Sequence, residues 1–116
     1  SNDVEGSKLR AANRLAKKYL GEAKKNLRNK SLFYDALERA LYNYLRAKLK
    51  IKMDDFSKEK ISQLLSVKNL SPNEINPFIE VLEKCEIARY SPATDAKMQQ
   101  DFHKAIQVIS NIDKKL

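Results

Sequence analysis

LSPNEINPFIEVLEKCEIARYSP, residues 70–92, holds a helix together with its start and its stop. Ser71 caps, Pro72 takes the first helical position where its missing N–H costs nothing, and Glu74 closes a capping box. Leu70 and Ile75 flank the cap at the spacing of a hydrophobic staple. Ile75, Phe78, Ile79, Leu82 and Cys85 then recur on one side at the helical period. Pro92 disfavours helical geometry at Ser91 and has no N–H to donate, so the spacing predicts an end at Ile87 or Arg89.

The same reading extends in both directions. Downstream, a helix over about Thr94–Lys114 places Met98, Phe102, Ala105, Ile106, Ile109 and Ile112 on its buried stripe. Upstream, Ser57 caps a short helix over Lys58–Val67 with Ile61, Leu64 and Leu65 inward, preceded by the non-helical KIKMDDFS (50–57). Before it, a helix over Leu32–Leu49 aligns Phe33, Leu37, Ala40, Leu41, Tyr44 and Lys48, with Tyr34 and Leu45 alongside and Tyr42 outward near Arg39 and Arg46. The first helix, Lys8–Arg28, carries Leu9, Ala12, Ala16, Tyr19, Leu20, Ala23 and Leu27 on one stripe, with Gly21 on its polar face. The short NKS link makes the first two helices an antiparallel hairpin with the length and small-residue rhythm of a tetratricopeptide-like unit. The expected fold is all-α: a compact, monomeric bundle of five helices, one of them short, forming a single domain over residues 8–116. Residues 1–7 read as a flexible leader, with Ser1-Asn2 in the manner of a cloning scar.

Composition narrows the function. The chain has 116 residues, a formal net charge of +8, two glycines, one cysteine and one histidine. A lone Cys85 forms no internal disulfide and fits a reducing compartment. No apolar run approaches the ~20 residues of a membrane span. With two glycines there is no phosphate-cradling loop, and with one histidine and one cysteine no metal-ligand spacing, so no cofactor is expected. Residues 1–30 hold nine basic against three acidic side chains, whereas the remainder is nearly balanced, fourteen against twelve. Arg14, Lys17, Lys18, Lys25 and Arg28 share the face of the first helix opposite its stripe. Such a face suits nucleic acid, an anionic membrane surface or an acidic protein. LYNYLRAKLKIK (41–52) interleaves tyrosines with basic residues, which keeps nucleic-acid binding as the alternative function. No helix-turn-helix pattern accompanies it, and the basic face is mixed with Asn and Ala rather than dense in arginine.

Catalysis is the weakest class. Cys85 lies in phase with an apolar stripe and reads as a small core residue, and His103 lies at the edge of its own stripe. Asp54-Asp55 sit in a loop without partners, where Asp55 helps to start the following helix. The corner residues Glu86, Arg89 and Tyr90 stand apart. At i,i+3 the first two can meet on one helix face, with Tyr90 over them, either as a structural corner in which Arg89 ties the helix end or as a partner-binding patch.

Three blocks, RAANRLAKKYLGEAKKNL (10–27), FYDALERALYNYLRAKLKI (33–51) and CEIARYSP (85–92), resemble the cytoplasmic C-terminal region of BatD, a bacterial membrane protein family of the aerotolerance (Bat) gene cluster. The likeness runs from about Arg10 to Ile112 and is most distinctive at Cys85, Glu86, Ala88, Arg89, Tyr90 and Pro92. It implies a larger protein, with extracytoplasmic β-sandwich-like domains and a membrane span before this helical domain. Family members are encoded beside von Willebrand A-domain proteins and a MoxR-type AAA+ ATPase, which are the partners it suggests. It brings no catalytic motif. The expectation is therefore a non-enzymatic interaction domain on the cytoplasmic side of an inner-membrane protein, its basic first segment facing an anionic leaflet.

Overall fold

The computed structural model describes residues 2–52 and 54–116. Six α-helices follow one another: α1 (Asn2–Tyr19), α2 (Gly21–Lys25), α3 (Lys30–Leu49), α4 (Lys58–Val67), α5 (Pro72–Ile87) and α6 (Asp95–Asp113), with a 3-10 turn at Ala88–Tyr90. No strand forms among the described residues. Ser1, read above as part of a cloning scar, and Met53 of the 50–57 connection lie outside the described residues.

The starts of α4, α5 and α6 are where the sequence puts them and that of α3 lies two residues earlier, each fixed by a local hydrogen bond. Asn29 Oδ1 accepts from Leu32 N at 3.1 Å, Ser57 Oγ from Lys60 N at 3.2 Å and Thr94 Oγ1 from Lys97 N at 3.0 Å. Asp55 Oδ1 accepts from Ser57 N at 2.9 Å, holding the approach to α4. Ser71 and Glu74 form the capping box, in which Glu74 Oε1 accepts from Ser71 N at 2.8 Å. The staple residues Leu70 and Ile75 are both buried. Lys115, beyond α6, reaches back to Glu74 at 3.2 Å, and these bonds, that from Ser71 N above all, hold the Glu74 carboxyl below its usual range.

α3 is the central element, with α1, α2, α5, α6 and the 3-10 turn all packed on it. Phe33, Leu37, Leu41 and Tyr44 lie wholly within the core, each such side chain contributing about 1.5–3 kcal/mol by leaving water. Tyr44 also joins three helices. Its ring meets Tyr19 edge-on at 5.1 Å and its hydroxyl donates to Asp113 Oδ1 at 2.7 Å. Lys48, placed on the stripe by its phase, instead reaches out to the same carboxylate at 3.0 Å. Val81 and Val108 join the core beside the expected stripes.

The first helix departs most from expectation. It begins at Asn2, so residues 3–7, read as leader, continue α1. It then bends at Leu20, whose φ of −107° and ψ of 12° leave helical geometry. Leu20 N still donates to Ala16 O at 2.8 Å and Leu20 O still accepts from Lys24 N at 3.0 Å, so the chain turns without losing its ladder there. The turn buries Leu20 and Ala23 completely. α1 packs chiefly along α6, while α2 packs on α3. The uninterrupted helix pairing with its sequence neighbour is thereby replaced by a helix that changes partner halfway.

Tyr42 also differs. Rather than pointing outward, it stacks on Phe56 of the connection at 4.5 Å, with Arg46 over the Phe56 ring at 4.6 Å. This burial, aided by the Glu38 and Glu86 carboxylates, pushes its hydroxyl up to about 12.

Candidate functional site

The corner after α5 is built from backbone needs. Pro92 requires extended geometry at Ser91, which adopts φ −130° and ψ 145°. α5 therefore tightens into the 3-10 turn and leaves carbonyls without helical partners. Ser91 Oγ donates to Ile87 O at 3.1 Å, and Lys30 Nζ reaches across from α3 to Ser91 O at 2.9 Å. Arg89, expected to hold this corner, does not. Its side chain is 64% exposed and stands 4.0 Å from Asp35 of α3. Glu86, expected as its charge partner, pairs instead with Lys58 of α4 at 3.2 Å. Tyr90, expected to cover both, is 89% exposed. Each charge meets an opposite one on a neighbouring helix, which intrahelical spacing alone could not show.

Cys85 is 3% exposed, and burial, reinforced by surrounding carboxylates, raises its thiol far above the ordinary range. A thiolate is disfavoured there. His103 is exposed on α6. Among the described residues, no group of three or more His, Cys, Asp or Glu could hold a metal ion.

The charged residue that sequence reasoning missed is Asp101, 1% exposed in the core. Tyr34 OH donates to its Oδ2 at 2.6 Å, and Lys84 and Lys97 stand 3.3 and 3.7 Å from its Oδ1. Desolvation, then the bond to this carboxylate, raises the Tyr34 hydroxyl. A signal existed: Asp101 lies three residues after Met98 and next to Phe102, on the apolar stripe itself. The opening beside it is small, about 90 Å³. The arrangement neutralises a buried carboxylate and ties α3, α5 and α6 together.

The basic face behaves differently. Arg14, Lys17, Lys18, Lys25 and Arg28 are all exposed, as their phase predicts. Among them, the ion pair formed with a described residue is Lys25 to Glu22 at 3.5 Å, with both side chains largely in solvent. Lys17 and Lys25, joined by Lys24, rim a groove of about 940 Å³ between the α1–α2 bend and α6. Its floor is Ala16, Leu27, Phe102 and Ile106. The bend borders this space, since α1 packs along α6 while α2 packs on α3. An apolar trough with a cationic edge can take an amphipathic ligand bearing negative charge.

No protein-family model, curated protein or solved structure matches the chain.

Proposed function

We propose that this chain is a non-enzymatic protein-interaction domain, the cytoplasmic part of a membrane-anchored protein of the BatD type. The observation that carries the reading is the clustering of exposed cations on one face of α1 and α2, where Lys25 with Glu22 is the one ion pair among the described residues. Evenly solvated surfaces intersperse both signs, and a one-signed face is free to meet an acidic partner. In this reading the partner is the MoxR-type AAA+ ATPase or the inner segment of a von Willebrand A-domain protein from the same gene cluster. The outer cations Arg14 and Lys18 lie against an anionic membrane surface. The tetratricopeptide-like comparison belongs to the same reading as an analogy only, because α1 packs chiefly along α6 and less on α3.

The test is a titration of the purified ATPase and of the A-domain segment against the wild-type chain and an Arg14→Gln, Lys17→Gln, Lys18→Gln variant. Binding of one partner that weakens in the variant supports the reading. Duplex DNA bound tightly at physiological salt, and lost in the same variant, would replace it with nucleic-acid binding. Vesicles serve as the third arm, with weak, salt-reversible preference for anionic over neutral lipid expected.

A further inference from the structure

We infer that the groove between the α1–α2 bend and α6 receives an acidic amphipathic helix of a partner protein, seated for about two turns. This rests on the interaction-domain reading and names the chemistry of its partner. Three features lead to it. The groove runs beside α6 from Gln99 to Ile106, roughly 10 Å at 1.5 Å per residue, which is about two helical turns. Its floor is apolar, formed by side chains that reach the core from one side and solvent from the other, a surface suited to residues spaced i, i+3 or i+4, and i+7. Its α1–α2 edge carries Lys17, Lys24 and Lys25, with Glu22 pairing the last of them and no acid among the described lining residues, so the complementary charge is negative.

A helix fits this better than an extended strand, because no unpaired sheet edge exists among the described residues to continue one. Seated there, its apolar face would cover Leu27, Phe102 and Ile106, and carboxylates flanking that face would meet the three lysines. Lysine stems lie along apolar surface and bring the charge to its edge, so the rim adds both contact and steering.

The probe is a synthetic helical peptide with Leu at i, i+4 and i+7 and Glu at the flanking positions. Fluorescence anisotropy measures its affinity, and amide chemical-shift changes map where it sits. Expected are shifts centred on α2 and residues 99–106, and at least a tenfold loss of affinity in Lys17→Gln, Lys24→Gln, Lys25→Gln. A Leu→Ser peptide of the same charge should lose as much, since the floor then has nothing to cover. Equal binding of that peptide would reduce the effect to nonspecific charge attraction and overturn the proposal. So would shifts centred on the α5–α6 corner, no binding of the probe at about 1 mM, or protection of the three lysines by anionic vesicles but not by the peptide. If the gene-cluster partner binds while the probe does not, the groove falls and the interaction domain stands. If neither binds, both fall.

Discussion

The α5–α6 corner and the α1–α2 face carry comparable numbers of charges and use them in opposite ways. At the corner, Asp101 is buried among Tyr34, Lys84 and Lys97, Glu86 is met by Lys58, and Ser91 O by Lys30. On the α1–α2 face, Lys17, Lys18 and Lys24 have no acid within ion-pair distance among the described residues, and Lys25 has a solvent-exposed one. The difference teaches that charge density alone does not mark a site here. Where backbone and buried groups need partners, charges are consumed by the fold, and where a helix face meets only water they remain available.

The largest effect that tests this contrast is Tyr34→Phe, which leaves the buried Asp101 Oδ2 without its donor. A loss of about 2–3 kcal/mol in urea unfolding is expected, in the range for hydrogen bonds to charged groups. Tyr34 also supplies a pH dependence. Its folded-state pKa lies above the ordinary 10.0, so its contribution is complete below pH 10 and declines as pH rises from there towards the folded value. The variant should therefore lose stability less steeply than wild type above pH 10. Equal alkaline slopes would show that Tyr34 is not the buried hydroxyl.

Next in size is Cys85→Ser, which puts a hydroxyl in an apolar site at a cost of about 1–3 kcal/mol. The native thiol should react with a maleimide only as fast as the domain opens. Rapid labelling of folded protein would make the corner accessible and blur the contrast.

Gly21→Ala acts in the other direction. A Cβ there meets nothing within 4 Å and the backbone needs no glycine, so stability should rise by about 0.4–1 kcal/mol. A loss instead would mean that the bend at Leu20 depends on glycine rather than on burial of the Leu20 side chain.

Smallest are Arg89→Ala and the Arg14→Gln, Lys17→Gln, Lys18→Gln set, each expected within about 0.5 kcal/mol of wild type in thermal melts. A large loss from Arg89→Ala would return that residue to the role its sequence position suggests.

Local chemistry explains which parts were legible. Ser57, Ser71 with Glu74, and Thr94 announce helix starts because a cap joins residues three apart and needs no distant partner. Stripes such as Phe33, Leu37, Leu41 and Tyr44 announce buried faces because helical phase is a property of the segment. Arg14, Lys17, Lys18, Lys25 and Arg28 were found in the same way, as the outward face of a helix. Glu86 and Arg89 misled for a related reason, since i,i+3 spacing says which residues can meet and not which nearer charges compete.

The sequence by itself determined the helical class, the positions of three helix starts and the exposed basic face, since each follows from hydrogen bonds and periodicity within a few residues. The tertiary structure alone decided that Leu20 breaks the first helix, that α1 lies along α6, that Asp101 is buried under Tyr34, and that a groove opens beside Phe102 and Ile106. Those outcomes depend on which surfaces of separate helices fill one another. Burial energy is shared among residues far apart in the chain, so no window of sequence contains it.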